Sequence, residues 1–273
     1  MNIAIISPHT CQNGNTTIAS LVAYSLAYKN NKVCISHSET YSDAFMKYFG
    51  VEVMIEEKSK SLQFMNLIQS GGLCKEDISD YCYSLSDKLE LFTLNIKDLK
   101  RDEFFDFNKY ISTISFISTN FPHDYVIFDV DDNCLESPVN REILSHADLV
   151  IYVLTQSSTE LHKFSDEKKT YFKAVGSIPC LVIVNKFCNM IGDIDDTAKE
   201  LGIRKPKKWY KVRYNPWIMY AHNNGVLPML MKRMNERDYR VLDIDSDIQQ
   251  VVSGILSVKR AKTQIQIDKR KAR

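Results

Sequence analysis

Gly14, Thr16 and Thr17 stand within "SPHTCQNGNTTIASLVAYSLA" (7–27), after an apolar run and ahead of a stretch with helical period. A glycine and hydroxyl residues at a strand-to-helix junction offer an anion several backbone N–H groups and the positive end of a helix dipole. Proteins cradle phosphate in this way. The full pattern for that chemistry is GxxxxGK[ST], in which the lysine reaches the outer phosphates and the hydroxyl holds Mg²⁺. Here Asn15 stands in place of the lysine and His9 in place of the first glycine. Two readings of the segment stand: an altered phosphate loop, and a polar turn with threonine early in a helix. Asp129 closes the apolar run "HDYVIFD", where a carboxylate supporting a phosphate-bound Mg²⁺ belongs. Further on, "LVIVNKF" ends with Asn185 and Lys186 near its close, and "VRYNPWIMYAHNNGVLPML" carries Tyr214 and Pro216.

The elements that must position these residues can be read from the apolar pattern. Runs at 2–7, 32–36, 124–130, 148–155, 180–185 and 208–215 are predicted strands, with "LELFTL" (89–94) as another. The runs at 124–130, 148–155 and 180–185 are nearly continuous in Val and Ile, the mark of parallel strands covered on both faces. Helical period is expected over 16–28, 158–175 and 193–201, and Ser137-Pro138 is an N-cap and first-turn pair for a helix to about Ser145. Residues 41–123 are mixed, with helices expected near 41–49, 61–70, 75–82 and 104–119. The alternation predicts a three-layer α/β/α sandwich on a mostly parallel, doubly wound sheet. We divide the chain into residues 1–244 and a C-terminal helix with a basic tail, 245–273.

Composition narrows the function classes. A formal charge of +1 gives no global pull toward nucleic acid or membrane, so a polyanionic partner needs a local patch. The seven cysteines are scattered without a CxxC pair, and several sit in apolar runs, which suits reduced thiols in a cytoplasmic protein. No apolar run is long enough to span a bilayer. The stretch 204–213 mixes cations with aromatics, but its second half coincides with a predicted strand. The segment 259–273 holds seven basic residues and one acidic residue, leaving a solvated tail and a surface for DNA or anionic lipid as its two readings.

The ordered set of segments resembles the ParA/MinD family of deviant P-loop ATPases. Family members run strand, "KGGVGKTT", helix, then "VLLIDLDPQ", "YDYVIIDTPP", "ADxVIIVxxP", "VVxNK" and "IPYDPxVxxAxxxGxPL". The counterparts here are "CQNGNTTIASLVAYSLA", "VCISHSE", "HDYVIFDVDD", "ADLVIYVLTQ", "LVIVNKF" and "RYNPWIMYAHNNGVLPM", in the same order across residues 2–230. The resemblance implies that Gly14, Asn15, Thr16 and Thr17 approach the phosphates of ATP or ADP, with Thr16 the Mg²⁺ ligand and Asp129 its partner. It implies that Asn185 contacts the purine and that Tyr214–Pro216 lie along the nucleoside.

The departures from that pattern set the expected activity. The second, signature lysine would fall near Thr10 or Cys11 and is absent, and the two switch aspartates fall on His37 and Glu39, leaving Glu39 beside Asp129 as the candidate catalytic carboxylates. A lysine bonded to phosphate is worth roughly 1–3 kcal/mol, so its loss costs about 10- to 100-fold in affinity. Hydrolysis suffers more, because developing charge on the transferred phosphoryl lacks both cations. The resemblance therefore implies a partition or positioning protein of the family, a pseudo-ATPase with weak nucleotide binding. Its expected partners are a second copy of itself, a recruited protein, and DNA or an anionic membrane through 259–273. Plasmid or conjugative DNA and a pilus or secretion machine are the settings it suggests, the latter through the TadZ/CpaE-like branch, which also has atypical loops. The protein is expected in the cytoplasm, at the nucleoid or the membrane periphery. A scaffold that keeps only the fold is the alternative. A tyrosine autokinase fits poorly, since no tyrosine follows Tyr239.

Overall fold

The computed structural model describes residues 1–7, 13–38, 44–51, 57–93, 107–130, 137–201 and 208–271. Glu39, Thr10, Cys11 and His9 fall outside them, as do residues 41–43 and 104–106 of two predicted helices and Leu94 of a predicted strand.

In chain order the described elements are β1 (Asn2–Ile6), α1 (Asn15–Tyr28), β2 (Val33–His37), α2 (Ala44–Phe49) and α3 (Glu57–Ser70). A 3₁₀ turn (Lys75–Tyr81) leads into β3 (Tyr83–Ser86), β4 (Leu89–Leu91), α4 (Phe107–Asn120), β5 (Tyr125–Asp129) and α5 (Pro138–Ser145). Then come β6 (Leu149–Leu154), α6 (Ser158–Val175), β7 (Cys180–Phe187), α7 (Ile194–Glu200) and β8 (Trp209–Arg213). Three helices close the chain: α8 (Pro216–Asn223), α9 (Leu227–Asn235) and α10 (Leu242–Lys271).

The strands form one sheet in the order β3-β4-β2-β5-β1-β6-β7-β8, parallel throughout except for the edge pair β3–β4. Side chains alternate across a strand. On β1, Ile3 and Ile5 face the core beneath α1, α2, α8, α9 and α10, while Ala4 and Ile6 face the core beneath α3, α4, α5 and α6. Burial on both faces is why the parallel strands read as unbroken apolar runs. The expected three-layer sandwich is the observed one.

The hairpin strand β3 was not expected. It lies on the sheet edge with Ser84 and Ser86 exposed, so only half of a four-residue strand carries a burial signal. The expected helix at 75–82 is instead a 3₁₀ turn. Ser137 caps α5 as read, accepting from the Asn140 backbone N–H at 3.1 Å ahead of Pro138.

Helix α10 runs unbroken from the core into the basic segment. Ile248, Val251, Val252 and Ile255 are fully buried, and Gly254 lets the helix lie against β8: a Cβ there would sit 2.2 Å from the Tyr210 hydroxyl. Asp247, 1% exposed, fastens the two elements. Its carboxylate accepts from the Arg213 Nε at 2.8 Å, from Nη2 at 2.9 Å and from the Arg213 backbone N–H at 3.0 Å. Further along, Lys259 lies over the Tyr125 ring at 4.1 Å and Lys262 bonds the Asp148 carboxylate. The first turn of the basic segment is therefore docked on the body of the protein rather than frayed from it. Among the described residues no helix is long and apolar enough to cross a membrane.

Candidate functional site

The carboxyl ends of β1, β5 and β7 meet the start of α1. Position in an open parallel sheet explains this: β1 lies between β5 and β6 at the point where connections change direction, which leaves a crevice above the strand ends. Gly14 is the N-cap of α1, with φ 84° and ψ 35°, a left-handed conformation that costs glycine nothing and other residues about 1–2 kcal/mol. A Cβ at Gly14 would meet the Asn185 Nδ2 at 2.5 Å. The loop backbone and the Asn185 amide are thus packed as close as a glycine permits.

Thr16, in the first turn of α1, donates its hydroxyl to the Asp129 Oδ2 at 2.6 Å across 113 residues of sequence. The registers that pair Ile5 and His37 with Asp129 put the carboxylate level with the end of β1. A threonine hydroxyl tied to a strand-end carboxylate in the first turn of a helix is an arrangement that can hold a cation beside a phosphate. Asn185 is buried, at 4% exposure, and its Nδ2 donates to the Asn13 carbonyl at 2.7 Å. It braces the loop backbone, a role the sequence did not suggest. Tyr214 is exposed and follows β8; its backbone N–H donates to the Phe187 carbonyl at 3.1 Å, tying this loop to the end of β7. Pro216 opens α8, capped by the Asn215 side chain, which accepts from the Trp217 N–H at 2.9 Å. Tyr214 and Pro216 thus sit one strand beyond Asn185. His37, in a predicted switch position, ends β2 with its Nε2 3.0 Å from the Thr93 Oγ1.

Two further features of the site were not read from sequence. The first is a polar network beneath the loop. With the Asn13 amide turned so that its oxygen accepts from Ser7, its nitrogen donates to the Glu160 Oε2 at 2.6 Å, and Thr155 donates to the same carboxylate. Glu160 belongs to the first turn of α6, where an acidic residue reads merely as favourable to the helix dipole. The second is His222 of α8, whose Nε2 lies 3.4 Å from the Thr17 Oγ1 and whose ring stacks on Tyr48 of α2 at 3.9 Å and 9°. Burial pulls the imidazole pKa down to about 4, so the ring is neutral at physiological pH.

No family model matches the chain, and no curated protein matches it in sequence. Solved structures do. A ParA family ATPase from Chlorobium tepidum superposes with a TM-score of 0.69 at 16% identity, over 92% of this chain and 96% of that one. The chain has the ParA/MinD fold. A putative plasmid partition protein from Borrelia burgdorferi, bound to AMPPNP, shares it at a TM-score of 0.61 and 18% identity, over 96% and 98% of the two chains. The septum site-determining protein MinD from Pyrococcus horikoshii, complexed with Mg-ADP, shares it at 0.62 and 12%, over 93% and 96%. Within the fold of this chain, Gly14, Thr16, Asp129 and Asn185 occupy one corner, with Asn15 as the first residue of α1.

Proposed function

We propose that this chain is a partition or positioning protein of the ParA/MinD type that binds ATP or ADP with Mg²⁺ weakly and hydrolyses it slowly or not at all. The observation that carries the reading is the Thr16–Asp129 hydrogen bond at the mouth of a left-handed Gly14 turn, combined with asparagine in the lysine position. The residues at this corner fit the nucleotide. Gly14, packed on the Asn185 amide with no room for a Cβ, turns the chain into the N-terminus of α1, and Thr16 with Asp129 offers oxygen donors suited to Mg²⁺. Gly14, Asn15, Thr16 and Thr17 would hold the phosphates, and Asn185, Tyr214 and Pro216 would flank the nucleoside. The bound metal would supply charge neutralisation between the outer phosphates. The chain's own part is to orient the phosphate chain and to keep the Thr16 oxygen aimed by Asp129. Glu39 joins Asp129 as the proposed carboxylate for activating water.

Thr16→Ala tests the corner. ADP binding, followed by calorimetry with and without Mg²⁺, should gain from the metal in the wild type and become indifferent to it in the variant. A variant that keeps the full Mg²⁺ effect places the metal elsewhere.

In the family-type role the protein would act as a homodimer that recruits a protein partner to plasmid or conjugative DNA, or to a pilus or secretion machine. Without the signature lysine, that dimer would depend on surface contacts more than on nucleotide. The basic end of α10 is the proposed contact to DNA phosphates or an anionic membrane, and it would bring an otherwise cytoplasmic protein to the nucleoid or membrane periphery. Because Lys259 and Lys262 are docked, truncation after Gln264 is the informative cut. It should abolish retention on DNA or anionic vesicles while leaving the thermal midpoint within a few degrees, and retention by the full chain should fall steeply with salt. Retention that survives both truncation and salt assigns the contact to another surface.

A further inference from the structure

We propose that His222, steadied by Tyr48, is a positioning residue for phosphate binding: it orients the Thr17 hydroxyl so that its proton points into the Gly14 turn. This rests on the nucleotide reading given above and adds a residue to that site which the phosphate-loop pattern does not contain.

Thr17 is buried in the first turn of α1, and its hydroxyl lies on the loop side. The position a Cβ on Gly14 would take is 3.7 Å from the Thr17 Oγ1 and 2.5 Å from the Asn185 Nδ2, so the hydroxyl meets the Gly14 turn beside the Asn185 amide. His222 comes from α8, 205 residues away in sequence, and places its Nε2 3.4 Å from the same oxygen. A serine or threonine hydroxyl has one proton to donate and two lone pairs to accept with. When the His222 Nε2–H donates to one lone pair, the Thr17 proton remains free for an anion. Such contacts are often long in the unliganded protein and tighten on binding.

Tyr48 covers one face of the ring in a parallel stack, which fixes the plane in which the imidazole nitrogens lie. Tyr48 in turn lies within electrostatic reach of Asp129. Its hydroxyl pKa is raised by burial first and by the Asp129 charge second, with Lys47 opposing. The stacked pair therefore joins α2, α8 and α1 around the loop, with Thr16 held by Asp129 and Thr17 by His222. A neutral imidazole brings no charge to replace the missing lysine. In the Nε2–H tautomer it brings a donor held in the plane set by the stack, which lowers the cost of ordering the hydroxyl when phosphate arrives.

The experiment is calorimetry with Mg-ADP on the wild type, His222→Phe, His222→Gln, Thr17→Val and the Phe–Val double variant, with thermal midpoints alongside. Phenylalanine keeps the stack on Tyr48 and removes the N–H; glutamine keeps an N–H donor. The expected result is a midpoint within a few degrees for His222→Phe, a dissociation constant raised about tenfold, and recovery of part of that loss in His222→Gln. In the double variant the losses should not add, because both remove one interaction. Wild-type affinity in His222→Phe, or losses that add in full, overturns the proposal while leaving the nucleotide site intact. Should the phenylalanine variant fail to fold, His222→Gln decides: near-wild-type affinity beside a large loss in Thr17→Val supports the role, and a tenfold loss in His222→Gln overturns it. A wild type that binds no Mg-ADP removes the nucleotide reading and this proposal with it.

Discussion

Asp247→Ala should cost about 3–5 kcal/mol of folding stability, the range seen when one partner of a buried ion pair is removed. The carboxylate is 1% exposed and accepts three hydrogen bonds, all from Arg213. Removing it strands the Arg213 backbone N–H and leaves the guanidinium beside an apolar helix face. The Arg213 side chain is 30% exposed and keeps an ion pair to Asp243 at 2.9 Å, so part of its charge can rehydrate and the loss should fall toward the lower end of the range. Asp243→Ala is the matched comparison. That carboxylate is 67% exposed, and a surface pair is worth at most about 1 kcal/mol. Urea unfolding with a shared slope measures both. Equal small losses from the two variants would mean that α10 is held to β8 by apolar packing alone.

The second large effect concerns the residue that sets this loop apart. Asn15→Lys should tighten ATP–Mg²⁺ binding by about 10- to 100-fold, which is roughly 1.4–2.7 kcal/mol. The surrounding parts are already in place: the left-handed Gly14, the Thr16 hydroxyl on Asp129, and the loop braced by Asn185. The lysine would add charge to a prepared cradle and need not build one. Turnover should stay slow, since the sequence offers no signature lysine near Thr10 or Cys11 and has His37 at the first switch position.

Much of the scaffold was legible because burial on both faces writes itself into β1, β5, β6 and β7 as apolar runs. The Thr16–Asp129 corner was legible because its parts sit at fixed places relative to two such strands. What escaped the sequence is what only the third dimension assembles. Glu160 meets Asn13, and His222 meets Thr17, across separations that no local period records. The role of Asn185 was half visible. Its place at a strand end could be read, but its hydrogen bond to the Asn13 carbonyl depends on the path of a loop without local pattern. The continuation of α10 was hidden for another reason: its apolar stripe ends near Val258, and beyond it Tyr125 and Asp148 hold the helix through lysines.

Calorimetric titration of the wild type and Asn15→Lys with ATP–Mg²⁺ is the most direct test of whether the segment around Gly14 is a phosphate cradle that has lost its lysine. The expected result is a wild-type dissociation constant near 100 μM, on the order of 10- to 100-fold weaker than that of the lysine variant. If neither protein binds at millimolar nucleotide, residues 7–27 are a strand-to-helix turn and the fold serves as a scaffold.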